Sequence, residues 1–226
     1  MRLLKINISI FLFLPIVLFA QEKDSVRNKF LPTGIRVGTD ALALVRNTYD
    51  ETFKGWEVNA DVDFYRYYLT VDYGSWGRTY LQDSSSYSNN GNYFRIGADV
   101  NFLTKNPDKN MFFLGMRYAH SSFSEDYTVI INDPLWGISK EVYTNRNVPA
   151  NWFELTSGLR VRIWKMFWMG YTIRYKFALS MGDTPDLLPH DVPGYGLTNK
   201  NVYWGFNYQL LFRIPIVKKK SVPLKK

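Results

Sequence analysis

Between Tyr93 and Phe102 the chain reads Y-F-R-I-G-A-D-V-N-F, and alternate residues fall into two unlike sets. Phe94, Ile96, Ala98, Val100 and Phe102 are apolar, while Tyr93, Arg95, Gly97, Asp99 and Asn101 are polar or small. A period of two marks a strand with two different faces. The apolar set has aromatic ends and aliphatic or small residues between them, the profile of a strand crossing a bilayer between two aromatic girdles. The polar set carries Arg95 and Asp99, charges that need water or each other.

The same alternation predicts seven further strands. One starts near Thr33 and places Ile35, Val37 and Thr39 opposite Arg36, Gly38 and Asp40. The pattern then blurs: residues 41–49 fit either a continued strand or a helical turn capped by Asp40. Clear alternation returns at Trp56–Phe64 and, after a tight Tyr65-Arg66 link, from Tyr67 to Gly74. Polar residues from Gln82 to Gly91 predict a loop before the Tyr93 strand, and T-K-N-P-D-K (Thr104–Lys109) predicts a turn after it. Phe112–Ala119 follows, then a long excursion from about Phe123 to Pro149 with room for a small hairpin. The last strands are Trp152–Ile163, Phe167–Phe177 and Val202–Arg213, separated by a tight turn at Trp164–Met166 and a Pro- and Gly-rich loop from Ser180 to Lys200. Pro215 ends the ladder.

Eight strands result, and the connections between them alternate long and short. Outer-membrane barrels have short periplasmic turns, long outer loops and both termini in the periplasm. The expected fold is therefore an all-β transmembrane antiparallel up-and-down β-barrel over residues 33–215. A soluble lipocalin-like barrel would also have eight alternating strands, but with the faces inverted. The long unbroken apolar faces, their aromatic ends, and polar faces of glycine, tyrosine and charge favour the membrane. The lumen then receives the acids Asp40, Glu57, Asp61, Asp72, Asp99 and Glu154 and the bases Arg36, Arg95, Arg117, Arg160, Arg162, Arg174, Lys176 and Arg213. An eight-stranded barrel is only wide enough for side chains to fill it. These charges are expected to pair and plug the interior, and a narrow passive pore along them is the weaker alternative.

Composition and charge bear on the address. Residues 1–20 have the basic start (Arg2, Lys5) and apolar core of a secretory signal peptide, with Ala20-Gln21 at its end. Leu18 is large for the third position before a cut, so the cleavage site is left open. An uncleaved anchor helix fits less well, because the apolar run is short and broken by Pro15. Residues 21–32 are expected to form a periplasmic lead-in, and 216–226 a Lys-rich C-terminal tail. The formal charge of +8 falls to +6 without Arg2 and Lys5, and the five lysines of Lys218–Lys226 bring the remainder to +1. The basic character is thus terminal, which removes the support for a nucleic-acid partner. The absence of cysteine excludes disulfides and Cys-ligated metals. No pattern implies a cofactor, a metal or a phosphate loop.

One motif carries chemistry. A-H-S-S-F-S-E (Ala119–Glu125) places His120 and Ser122 on the apolar face near an outer strand end. It resembles the outer-membrane lipid A deacylases, eight-stranded barrels with a His and a Ser two apart facing lipid. The resemblance implies a base beside a hydroxyl nucleophile, oriented by an acid. That family has asparagine after the serine where Phe123 stands here, and Glu125, Asp126 and Glu141 are all open as the acid. A broader resemblance, carried by G-I-R-V-G-T-D (Gly34–Asp40) and K-G-W-E-V-N-A-D (Lys54–Asp61), is to small outer-membrane barrel proteins of families without an assigned function. It implies a barrel and no reaction.

The expected function is that of a non-enzymatic integral outer-membrane protein of a gram-negative envelope, a structural or accessory subunit engaging other envelope proteins. Its expected partners are outer-membrane lipid and other outer-membrane proteins or lipoproteins. The alternatives are the His120/Ser122 enzyme and the pore. Trp136, Tyr143 and Tyr195 in the long loops are candidate contact residues, equally suited to packing loops onto the barrel rim.

Overall fold

The structure, a computed structural model, describes residues 31–182 and 187–216. The expected signal peptide, nearly all of the lead-in and the Lys-rich tail lie outside these residues. From Pro32 onward, eight long antiparallel strands meander and close on themselves in the order β1-β10-β7-β6-β5-β4-β3-β2. They are β1 (Gly34–Asp40), β2 (Phe53–Phe64), β3 (Tyr67–Gln82), β4 (Ser85–Asn101), β5 (Met111–Asp133), β6 (Gly137–Trp164), β7 (Phe167–Ser180) and β10 (Val202–Pro215). Closure is direct: Gly34–Asp40 pairs with Gln209–Pro215 on one side, and Ile35–Thr39 with Val58–Val62 on the other. Two short strands, β8 (Asp191–Val192) and β9 (Gly196–Leu197), form a separate hairpin.

The alternation holds along the middle of every wall strand. Burial along β2 reads buried, exposed, buried without a break from Phe53 to Val58, and β4 buries Tyr93, Arg95 and Asp99 while exposing Phe94, Ile96 and Ala98. The inside is thus polar and the outside apolar. Close approach between strands is bought with glycine at Gly97, where a Cβ would collide with the Met116 carbonyl and the Arg117 side chain.

The tight links fall at one end of the ring. Tyr65 and Lys165 adopt positive φ (64° and 40°) to turn β2 into β3 and β6 into β7. The other end differs from expectation. The predicted loop Gln82–Gly91 is strand: Gln82 pairs with Ser85, and the β3–β4 ladder runs unbroken to Tyr67–Val100. The excursion Phe123–Pro149 is likewise a continuous hairpin, with β5 and β6 paired out to Asp133–Gly137 and one register shift between Phe123 and Glu125. Serine, asparagine and tyrosine pair well in a ladder that is polar on both faces, and such a ladder has no apolar period to announce it. Residues 41–49 form a helix, α1 (Ala41–Tyr49), whose N-cap Asp40 accepts from the Leu42 amide. Among the described residues no helix is long and apolar enough to cross a membrane.

Candidate functional site

The lumen is the densest concentration of chemistry. Five arginines and five carboxylates form one connected lattice there. Arg36 donates to Asp61 at 2.8 Å, and Asp61 also accepts from Arg160. Arg160 lies 3.6 Å from Asp99, which Arg117 reaches at 3.1 Å. Arg117 also donates to Asp72, which accepts from Arg174 at 3.0 Å. Arg174 continues to Glu154 at 2.8 Å, and Arg95 lies 2.7 Å from Glu57 and 3.0 Å from Glu154. All ten side chains are almost fully buried. Aromatic faces complete the packing: Arg36 stands over Tyr68 and Trp168, Arg95 over Tyr93, and Arg160 over Phe113.

The register alone would pair neighbours, for it sets Asp72 opposite Arg95 and Arg117 opposite Glu154. Arg36–Asp61 is such a pair, but other bonds cross the lumen: β7 reaches β3 through Arg174–Asp72, and β6 reaches β2 through Arg160–Asp61. Each charge so removed from water has opposite charges around it, which offsets desolvation. The same bonds occupy the bore.

Two expected lumen bases lie elsewhere. Arg162 is exposed and pairs with Asp108 at 3.3 Å, because the β6–β7 register shift after Arg162 ends the strand at the turn end of the ring. Arg213 sits half-buried at that same end on Asp63, at 2.8 Å. Asp63 also accepts from the Thr33 amide and hydroxyl, and Lys109 lies 3.4 Å away, so it pins the chain entry to the ring. Its place in the β2 alternation was the signal for it. With these two removed, the lumen bases Arg36, Arg95, Arg117, Arg160, Arg174 and Lys176 match the six acids one for one. Asp40 and Lys176 stand apart from the lattice. Asp40 accepts from Asn207, Leu42 and Tyr208, and the Lys176 ammonium donates to the carbonyls of Gly194 and Tyr195, both at 2.8 Å.

Those carbonyls belong to a plug. Residues 191–196 are buried in the loop-end mouth. Asp191 is held by Arg78 (3.1 Å) and the Tyr80 hydroxyl (2.9 Å), its carbonyl accepts from Asn89, and its amide donates to the Tyr87 hydroxyl. Tyr87 in turn donates to Glu125 (2.7 Å), which also accepts from Asn145. Burial, together with Glu125, pushes the Tyr87 phenol well above its ordinary range. Tyr195, a candidate contact residue equally suited to packing a loop onto the rim, is fully buried against Trp152 in a cluster with Tyr93, Phe123, Val148 and Val192. Gly194, with φ of +85°, lies against the Tyr93 ring, where a side chain would not fit. A buried loop must satisfy its backbone, and Arg95, Lys176, Asn89 and Tyr87 do so here. Asp191 carried no signal in the sequence, being one acid in a Pro- and Gly-rich run.

Trp136 and Tyr143 are on the β5–β6 hairpin. Trp136 is 89 % exposed at its tip, beside Leu135 and Ile138. Tyr143 stacks on Tyr127 and donates to Glu141. His120 and Ser122 do share the outward face. The His120 Nδ1 is 2.8 Å from Asn151 Oδ1, which also accepts from the Tyr118 hydroxyl, and its ring leans on Phe94. No hydrogen bond joins His120 to Ser122 among the described residues, and the three acids open as orienters are engaged elsewhere: Glu125 in the plug, Asp126 with Arg146, Glu141 with Tyr143. Among the described residues no group of three or more His, Asp or Glu could hold a metal ion.

Fold and lumen together define a class: a closed eight-stranded antiparallel ring with a charged, plugged interior and an apolar exterior. The chain belongs to the family described as Domain of unknown function (DUF6048), whose model matches residues 3–219. No curated protein matches the sequence.

Proposed function

We propose that the protein is an integral outer-membrane β-barrel with a solid lumen, acting as a structural or accessory subunit of the envelope. The observation that carries this reading is the outer wall. Val58, Leu69, Val71, Ile96, Leu114, Met116, Leu155, Ile173, Phe206 and Phe212 each leave about 40–60 % of their surface exposed, and together they circle the ring. A belt of that extent far exceeds what a soluble monomer exposes, and lipid is the solvent that suits it. Aromatic residues flank it, with Phe102 and Phe112 towards the turns and Trp56, Tyr73, Trp204 and Tyr118 towards the loops.

The β5–β6 hairpin is the contact element under this reading, its tip presenting Leu135, Trp136 and Ile138 at 76–89 % exposure. Purification in mild detergent tests it. Envelope proteins should co-elute with the wild type and be lost on changing Leu135, Trp136 and Ile138 together to serine, with the barrel still folded. A chain that elutes alone in both forms would end the subunit reading. The deacylase resemblance finds no support in the His120 geometry, and lipid A mass spectra should be identical for the wild type and His120→Ala.

A further inference from the structure

The ring has a lateral gap in its loop-end half. β1 stops at Asp40, opposite Gln209 of β10, and its other edge reaches only Val58 of β2. Above that level neither Val202–Tyr208 nor Phe53–Glu57 has a strand partner on the facing edge. Side chains cover part of the exposed backbone. Asn47 of α1 both donates to and accepts from Gly55, and Asp40 accepts from the Tyr208 amide at 3.1 Å. In an antiparallel ladder alternate residues address the same edge, so Phe206 and Trp204 turn their backbone groups to the gap like Tyr208. No backbone bond reaches them from that side among the described residues. Unpaired backbone at bilayer depth is costly.

A cavity of about 420 Å³ opens through this gap and runs under α1 into the lumen. Its mouth is apolar, lined by Leu42, Val45, Tyr49, Trp56, Trp204 and Phe206. Its inner end is charged: Arg95 and Lys176 line it beside the acids Asp40 and Glu57, and Arg46 and Arg78, each paired with an aspartate, also belong to the lining. Lys176 has no carboxylate within ion-pair distance among the described residues and is satisfied by carbonyls alone. Two further donors of the lining, Trp76 Nε1 and Arg78 Nε, are buried without an acceptor. Buried donors of this kind are rare and ask for a partner.

We propose that this cavity is a binding site for an anionic single-chain amphiphile that enters sideways from the lipid. A carboxylate or phosphate head would meet Lys176, Trp76 and Arg78, and the acyl chain would lie along Val45, Trp56, Trp204 and Phe206. The volume lies in the range of small-molecule pockets and suits one chain. The membrane reading supplies the source of the ligand but not the pocket, so binding is tested on the purified chain and fails separately from localisation.

Full-length protein in an uncharged maltoside detergent should take up one lysophosphatidic acid or one palmitate by native mass spectrometry, saturably. Loss of a charge-assisted hydrogen bond is worth roughly tenfold or more in affinity. Lys176→Met and Val45→Asp should each weaken binding by about that factor, and Trp76→Phe by less, while inorganic phosphate alone should not compete. Heat-dependent gel mobility identifies folded variants, and Val45→Asp and Trp76→Phe keep the test alive should Lys176→Met fail to fold. Absence of a saturable adduct, equal binding by all folded variants, or phosphate binding as tightly as the amphiphiles would each overturn the proposal.

Discussion

At the residue scale, the lattice concentrates risk. Arg117 and Arg174 both serve Asp72, and each also neutralises a second acid, Asp99 and Glu154 respectively. Deleting either cation leaves buried carboxylates short of a partner, a loss of about 3–5 kcal/mol where one partner of a buried pair is removed. Arg117→Leu should therefore lower the thermal midpoint of the barrel markedly, read as the heat-induced gel shift. Asp108→Ala, which frees only the exposed Arg162, should leave the folding stability within about 0.5 kcal/mol of the wild type. Gly97→Val should block assembly outright, since the Cβ space belongs to Met116 and Arg117. The charges of this lattice were legible in the sequence because a period of two assigns each to a face. Their bonding was not, because a face says nothing about which residue lies across the lumen. Asp191 shows the limit further, for its place depends on a loop that folds inward.

At the element scale, the β8–β9 plug is the part no period announces. It is held at Asp191 by Arg78, Tyr80, Tyr87 and Asn89 rather than by a ladder. The chain has no cysteine, so a single one can be placed without interference. Val192→Cys, fully buried, should resist maleimide in the wild-type background and react once Asp191→Ala is added. Equal reaction in both would mean the plug is open. Tyr87 adds a pH dependence with a definite sign. Its folded pKa lies above the ordinary 10.0, so the neutral phenol is favoured in the fold. Its contribution is complete below about pH 10 and is lost as pH rises through the raised value. The alkaline fall in thermal midpoint should be shallower in Tyr87→Phe. The β5–β6 overhang was expected only as an excursion with a small hairpin, because two wet faces give strands without contrast. α1 stayed open between two patterns for the opposite reason: Leu42, Leu44 and Val45 are all exposed, so no buried face selects a helical period.

At the scale of the whole molecule, ring and lumen follow from one rule applied eight times, that alternate residues face opposite sides of the sheet. What the rule leaves out is where β1 stops. Its early end at Asp40 creates the lateral gap, and α1 lies beside it. A lumen crossed by ion pairs and a mouth filled by residues 191–196 should carry no steady current in planar bilayers. The most direct test of the barrel in lipid is spin labelling along β4 in reconstituted vesicles. Labels at Ile96, Ala98 and Val100 should be open to oxygen dissolved in the bilayer and shielded from a water-soluble nickel chelate, with the oxygen preference strongest mid-strand. Ready access of the chelate to all three outward positions would contradict the account.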